Sequence, residues 1–119
     1  MAPNSTKIVS WDKIESRYLN LIEKYGWSLN GMLSLVRFIR SNDLHERLFA
    51  YTSLDTLIIT IYYPAEWHRE TLHIRLDQVT QTWLFQYFPK PYEVVEFERA
   101  YPVEQGVEKF ANYIKLLKW

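Results

Sequence analysis

The segment from Arg47 to Arg99 constrains the fold most, because it reads almost without interruption as β-strand. β-Branched and aromatic residues, which strands favour, are frequent in this segment, and short turn-forming stretches divide it. The stretches between consecutive strands are shorter than the roughly twelve residues that a parallel crossover needs. The pattern therefore predicts an antiparallel sheet of about five strands.

Period-two alternation and turn residues set the expected strand boundaries. The predicted strands are Arg47–Thr52, Thr56–Tyr63, Thr71–Asp77, Thr80–Phe88 and Tyr92–Arg99. The third strand alternates most clearly, because Leu72, Ile74 and Leu76 point to one face and polar residues point to the other. Pro89 and Pro91 separate the fourth strand from the fifth, since proline cannot donate to a sheet. We expect the apolar side of the third strand to point inward.

Amphipathic helical patterns flank the strand-rich segment on both sides. Two helices are predicted before it, at Trp11–Tyr25 and Leu29–Ser41, and Gly26 is the expected end of the first. A third helix is predicted to begin near Pro102, and Gly106 inside it is expected to let that helix approach the sheet closely. The predicted fold class is α+β, with two N-terminal helices, an antiparallel sheet of about five strands and a C-terminal amphipathic helix packed on the sheet.

Length and terminal composition set the expected domain organisation. The chain has 119 residues, which suits one domain. We expect residues 1–9 to form a flexible N-terminal lead and residues 10–119 to form a single α+β domain. The start of the chain lacks the apolar core of a signal peptide, and no apolar run approaches the roughly 20 residues of a membrane span. A cytoplasmic location is therefore expected.

Charge and cysteine content narrow the classes of partner and chemistry. Lysine and arginine together balance aspartate and glutamate at 14 each, and the basic residues are scattered. A nucleic-acid binder normally needs a clustered basic surface, and electrostatic membrane docking needs one too. We therefore expect a protein partner rather than nucleic acid or a membrane. The chain contains no cysteine, so disulfides and thiolate catalysis are excluded.

The second and fourth predicted strands are apolar on both faces. In the second strand, Ile58 and Tyr62 oppose an equally apolar row. In the fourth, Leu84 and Phe88 oppose the aromatic row Trp83, Phe85 and Tyr87. A strand with one face in solvent would carry polar residues there. Three explanations remain open: helices cover both faces of the sheet, the second face binds a partner or another copy, or aromatic residues line a ligand cavity.

No motif in the sequence predicts catalysis or cofactor binding, so we expect a protein without catalytic, cofactor-binding or metal-binding residues. The three histidines, His45, His68 and His73, do not have a zinc-ligand spacing. The three glycines form no phosphate-binding loop, and no nucleophile elbow is present. His73 and Arg75 share the outer side of the third strand, where they could contact an anion or a partner.

Charged residues near both ends of the sheet leave several interpretations open. Glu96 and Glu98 share one face of the fifth strand, beside Tyr92. Paired carboxylates can act as acid and base in hydrolysis, but charges on an edge strand also prevent aggregation and can form an acidic contact patch. Arg37, Arg40, Arg47 and His45 cluster around the junction between helix and sheet, as a solvated face or as a site for an acidic partner or a phosphate.

These features favour a small non-enzymatic protein-binding module. The candidate partner-binding residues are Tyr92, Glu96, Glu98, Tyr62, Leu84 and Phe88. A short, cysteine-free, aromatic-rich chain without a catalytic motif is similar in build to many small bacterial immunity and antitoxin proteins, which implies occlusion of a partner such as a toxin. The alternative is a homodimer that packs through Ile58, Tyr62, Leu84 and Phe88, with an aromatic-lined pocket for a small ligand or an enzymatic activity.

Overall fold

A computed structural model describes residues 8–63, 70–89 and 97–119 of the chain. The helices are α1 (Trp11–Tyr25), α2 (Asn30–Arg40), α3 (Leu44–Arg47) and α4 (Gly106–Leu117), and a 3-10 turn (Val103–Gln105) precedes α4. The strands are β1 (Phe49–Ser53), β2 (Thr56–Thr60), β3 (Thr71–Asp77), β4 (Thr82–Phe88) and β5 (Phe97–Pro102). The predicted α+β architecture is confirmed.

The sheet is an antiparallel meander. Its spatial order is β1-β2-β3-β4-β5, so each strand pairs with its neighbours in the chain. All four pairings are antiparallel, as the short connections predicted. Cross-strand partners share a face of the sheet, and the register therefore fixes which side chains lie together.

The first helix ends where glycine permits a left-handed turn. Gly26 has a φ of 70°, and its backbone N–H donates to the carbonyl of Ile22 at 3.1 Å. The N–H of Trp27 donates to the carbonyl of Leu21 at 3.1 Å, which satisfies a second carbonyl of the last turn. The predicted bounds of this helix, Trp11–Tyr25, are confirmed.

The sequence misplaced the start of the first strand. Its predicted start at Arg47 is wrong, because Leu44–Arg47 forms the short helix α3 and β1 starts at Phe49. The backbone N–H of Leu44 donates to Oδ1 of Asn42 at 2.8 Å, and this side-chain bond starts the helical turn. Period-two pattern alone did not reveal the local bond.

Three other boundaries shift by three or four residues, and the ends of α2, the end of β1 and the start of β4 shift by one or two. The second strand ends at Thr60 rather than Tyr63, and the fifth continues to Pro102 rather than ending at Arg99. The 3-10 turn then delays the start of α4 to Gly106. The boundaries of helices and strands are the least certain part of a sequence-based prediction, because terminal turns depend on tertiary contacts.

The hydrophobic core lies between the helices and one face of the sheet. The helices contribute Ile14 and Tyr18 from α1, Met32, Leu35, Val36 and Ile39 from α2, and Phe110 and Ile114 from α4. The sheet contributes Ala50, Leu57, Ile59, Leu72, Ile74, Leu76, Trp83, Phe85 and Tyr87. By the strand register, these sheet residues share one face. Within residues 8–63, 70–89 and 97–119, the idea that helices cover both faces is wrong.

Aromatic contacts attach α4 to the sheet. The ring of Phe85 lies 5.4 Å from that of Tyr113 and 5.6 Å from that of Tyr101, measured between centroids. The indole N–H of Trp83 donates to the carbonyl of Val103 at 2.9 Å, just before the helix. Gly106 lies against the same indole ring, so the predicted close approach is confirmed.

Residues just before α1 join the edge of the sheet. The backbone N–H of Val9 donates to the carbonyl of Ala50 at 2.9 Å, as an isolated antiparallel bridge to β1. The division into a lead over residues 1–9 and a domain over residues 10–119 stays a prediction.

Candidate functional site

The face of the sheet opposite the core is the candidate site. We call it the helix-free face, and its central residues are Ile58, His73, Arg75, Leu84, Gln86, Phe88 and Glu98. Two cross-strand rows connect most of them. Arg75 pairs with Leu84, and His73 pairs with Gln86, which in turn pairs with Glu98. None of the helices in the described part of the chain packs on this face.

The structure brings some of the predicted partner-binding residues together. Leu84, Phe88 and Glu98 lie on the helix-free face. Tyr62 follows the end of β2, and its hydroxyl donates to the carboxylate of Glu70 at 3.0 and 3.1 Å. The other two predicted residues, Tyr92 and Glu96, lie outside the described residues.

Accessibility differs across the helix-free face. Ile58 is only 6% exposed although no described helix covers it. Leu84 and Phe88 are half-buried, whereas Arg75 and Glu98 are exposed. Leu84, Phe88, Arg75 and Glu98 on β3, β4 and β5 therefore offer contact area, whereas Ile58 on β2 offers almost none.

His73 is an uncharged residue in this setting. Its ring lies 4.4 Å from the ring of Phe88, measured between centroids. Burial in these apolar surroundings lowers the pKa of His73 from 6.5 to about 4, because the charged form loses hydration. At neutral pH, Arg75 is therefore the cation of the predicted His73–Arg75 pair.

A depression of about 310 Å³ lies on the helix-free face, and Thr56, His73, Arg75, Leu84 and Gln86 line it. The wall groups are a hydroxyl, an imidazole, a guanidinium and an amide around one leucine. Nε2 of Gln86 donates to the carboxylate of Glu98 at 2.8 Å, so the amide has a fixed orientation. This combination suits a polar side chain of a partner, inserted beside an apolar contact.

The predicted basic cluster is divided among ion pairs. Nε of Arg37 and Nη1 of Arg40 contact the carboxylate of Glu15 at 3.0 and 2.7 Å. Nη1 of Arg47 contacts the carboxylate of Asp43 at 2.8 Å. A phosphate or an acidic partner would therefore have to displace carboxylates already in place, which disfavours the anion-site interpretation.

A second, larger cleft borders this ion-pair cluster. It has a volume of about 820 Å³, and its lining includes Trp11, Lys13, Arg40, Phe49 and Tyr63. The rings of Phe49 and Tyr63 lie 5.2 Å apart. The cleft combines aromatic walls with cationic groups, but Arg40 is held by Glu15. It resembles the aromatic-lined pocket that the sequence left open, and its lining also includes the polar side chains of Ser10, Asp12 and His45.

Neither a metal site nor a membrane-spanning helix is found among the residues that are described. Among them, no group of three or more histidine, aspartate or glutamate side chains could hold a metal ion. No described helix has both the length and the apolar composition needed to cross a bilayer. The second carboxylate of the proposed acidic pair, Glu96, lies outside the described residues, so catalysis by Glu96 and Glu98 stays untested.

Sequence reasoning missed two exposed apolar residues in turns. Leu54 and Val79 are among the most exposed large hydrophobic residues that the structure describes. Leu54 has a positive φ of 56° in the two-residue turn between β1 and β2, where glycine is usual. A leucine between predicted strands, in place of Gly, Asn or Asp, was the available signal.

Known proteins add no constraint on this site. Comparisons of the chain with protein-family models, with curated proteins and with solved structures found no match. The chemistry of the helix-free face is therefore the basis for a functional proposal.

Proposed function

We propose that the protein is a cytoplasmic, non-enzymatic protein-binding module that covers part of a partner with its helix-free face. The observation that carries this proposal is the placement of Arg75, Leu84 and Glu98 on a sheet face without a described helix. A sheet face of this kind, with half-buried apolar residues at its centre, commonly marks an interaction surface.

The composition of the face supports a protein partner. Leu84 and Phe88 offer apolar area that is only half-buried in the isolated chain, and Arg75 and Glu98 are exposed charges beside them. Protein interfaces have this arrangement, with an apolar centre and a polar rim that sets orientation. His73 is neutral near pH 7, so it adds an aromatic surface at little desolvation cost.

The two charges give the proposed surface a direction. Arg75 lies on β3 and Glu98 on β5, with β4 between them. A partner with an acidic group opposite β3 and a basic group opposite β5 would bind in one orientation, since the reverse orientation places like charges together. The likeness in build to immunity and antitoxin proteins suggests that the bound partner is a toxin whose working surface becomes occluded.

A second candidate is self-association through the same face. Arg75 on β3 lies opposite Leu84, and Glu98 on β5 lies opposite Gln86, on the other side of β4. A two-fold axis parallel to β4 would therefore bring Arg75 of one copy near Glu98 of the other. Such an isologous interface is self-complementary. This arrangement favours the predicted homodimer over a small-ligand pocket, because it uses the charges as well as the apolar residues.

Affinity capture with charge-reversed variants tests the proposal. Tagged wild type, Arg75→Glu and Glu98→Lys are used to capture partners from a lysate of the source organism, with Lys115→Glu on exposed α4 as the matched control. We expect one stoichiometric partner that the control retains and both face variants lose. Light scattering on the same proteins identifies a homodimer instead, if wild type and control are dimers and the face variants are monomers.

Two outcomes would contradict the proposal. One is a partner that wild type and all three variants retain equally, because the helix-free face would then not be the binding surface. The other is a wild-type protein that is monomeric and captures nothing, since neither form of binding would then exist.

A further inference from the structure

Exposed hydrophobic side chains are concentrated at one end of the molecule. Within the described residues, the large hydrophobic residues that are exposed are Tyr25, Trp27, Leu54, Tyr63, Val79 and Leu116. Four of these six, namely Tyr25, Trp27, Leu54 and Val79, lie in or beside connections at the same end of the sheet. We call these four residues the apolar end.

Sheet topology explains why two residues of the apolar end, Leu54 and Val79, lie at the same end of the sheet. In an antiparallel meander, the β1–β2 and β3–β4 turns are at the same end of the sheet. Leu54 is in the first turn and Val79 is in the second. Neighbouring strands are about 4.8 Å apart, so the two turns are separated by roughly 10 Å.

Hydrogen bonds hold the α1–α2 loop beside the β3–β4 turn. The backbone N–H of Ser28 donates to Oε1 of Gln78 at 3.0 Å, and Nε2 of Gln81 donates to the carbonyl of Ser28 at 3.1 Å. These bonds place Trp27, the residue before Ser28, beside the turn that contains Val79, and Tyr25 ends α1 two residues earlier. All four residues of the apolar end therefore belong to one surface.

The fold does not explain why Leu54 and Val79 are apolar. Leu54 is 81% exposed, and its φ of 56° places it in the left-handed region that leucine disfavours. Val79 is 92% exposed in a turn that the carboxylate of Asp77 stabilises by accepting from the N–H groups of Val79 and Thr80. Asparagine or glycine would suit the backbone of Leu54 better, and the side chain of Val79 adds nothing to the core, so both side chains point to a role outside the fold.

We propose that the apolar end inserts into the boundary between headgroups and acyl chains of a phospholipid bilayer. The four side chains project from three connections, namely the end of α1 with the α1–α2 loop, the β1–β2 turn and the β3–β4 turn, rather than from one helix or strand face. A protein interface needs a contiguous, closely packed surface, whereas fluid lipid accommodates separate projecting side chains. Tyr25 and Trp27 are the residue types that favour the headgroup level, and Leu54 and Val79 would reach the acyl chains.

Charge at this end favours apolar insertion over electrostatic adsorption. Arg17 and Lys24 are offset at this end by the acidic residues Glu23, Asp55 and Asp77, so it carries no excess of positive charge. Nη2 of Arg17 donates to the carbonyl of Leu54 at 2.8 Å, which holds the turn against α1. The balance agrees with the zero formal charge of the whole chain. Attachment by this end leaves the helix-free face accessible, so the inference does not depend on the proposed function.

Flotation with neutral phosphatidylcholine vesicles tests the inference on the full chain. We expect wild type to float with the vesicles and the double variant Leu54→Asn, Val79→Asn to lose binding by about tenfold or more, because two aliphatic contacts are removed. Asparagine accepts the left-handed conformation of Leu54, and the side chain of Val79 is 92% exposed, so the double variant is expected to fold as well as wild type. Leu116→Asn is the matched control, since Leu116 is 71% exposed on α4, outside the apolar end.

Tryptophan quenching adds a readout of depth. Brominated acyl chains in the vesicles should quench wild-type fluorescence, and Trp27→Phe should reduce that quenching. Three outcomes overturn the inference: no wild-type binding to neutral vesicles, equal binding by the double variant and Leu116→Asn, or binding to anionic vesicles only with release by salt. Loss of a captured protein by the double variant, without any vesicle binding, would assign the apolar end to a protein interface and also overturn it.

Discussion

Gly106 lies directly against the indole ring of Trp83, and the contact leaves no space for a side chain. A Cβ at residue 106 would overlap three atoms of that ring. The same indole donates its N–H to the carbonyl of Val103 at 2.9 Å, so Trp83 contacts both the start of α4 and the turn before it. The position of α4 on the sheet therefore depends on a glycine at its first residue.

We expect Gly106→Ala to destabilise the protein by about 2–3 kcal/mol, because overpacking outweighs the helix propensity gained. Urea unfolding measures this change. Gly31→Ala should cost less, since its Cβ would meet Val103 at 2.9 Å and Leu76 at 3.0 Å, both at side-chain atoms that can move. Ser34→Ala, exposed on α2, is the control. Equal stability of Gly106→Ala and wild type would mean that the contact with Trp83 is not tight.

Leu54→Asn is expected to stabilise the protein. The φ of 56° costs leucine roughly 1 kcal/mol, and asparagine adopts this conformation more readily. Thermal unfolding should show a higher midpoint for the variant, with Leu54→Ala as the control that keeps most of the strain. A lower midpoint for Leu54→Asn would show that the leucine side chain contributes to packing, against its 81% exposure.

Apolar periodicity predicted correctly those helices and strands whose pattern fits only one kind of secondary structure. The bounds of α1 and β3 were correct, because Gly26 ends the helix and one apolar row marks the strand. The start of β1 was missed, since the N–H of Leu44 donates to the side chain of Asn42 and so starts a helical turn that no sequence period reveals. The pattern also did not decide which face of the sheet the helices cover, because β2 is apolar on both sides.

The two-residue period of side chains along a strand also located part of the candidate site from the sequence. Period two places Leu84 and Phe88 on one face, and the register with β5 adds Glu98. It did not show that Ile58 is buried on that face, because burial depends on neighbouring strands rather than on the strand itself. The apolar end was missed because a turn residue's exposure follows from tertiary structure.

Glu15 connects α1 to α2 through two arginines, and its removal should weaken the protein in a pH-dependent way. The Arg37 and Arg40 guanidinium groups hold the pKa of Glu15 below its ordinary value of 4.5. A lowered folded-state pKa means that the stabilisation is present above pH 4.5 and is lost as pH falls through the folded-state pKa. We expect Glu15→Gln to lower the free energy of unfolding by about 1 kcal/mol at pH 7 and to leave it unchanged in strong acid.

Asp43→Asn provides the comparison for this ion-pair prediction. Asp43 and Arg47 are four residues apart, and both side chains are largely exposed, so this variant should cost less than about 0.5 kcal/mol. Urea unfolding from pH 7 to pH 3 measures both variants against wild type. A Glu15→Gln difference that stays constant over this range would show that packing, rather than charge, gives Glu15 its effect.

His73 should make stability fall as the pH drops below 6.5. Its folded-state pKa of about 4 lies below the ordinary value of 6.5, so between these values the unfolded chain binds a proton that the folded chain excludes. The free energy of unfolding of wild type should therefore fall relative to that of His73→Gln by about 2–3 kcal/mol between pH 7 and pH 4. Urea unfolding of wild type, His73→Gln and the exposed-site control His45→Gln separates this histidine from the carboxylates that titrate in the same range. A parallel pH dependence for wild type and His73→Gln would show that the ring beside Phe88 is hydrated enough to accept a proton without cost.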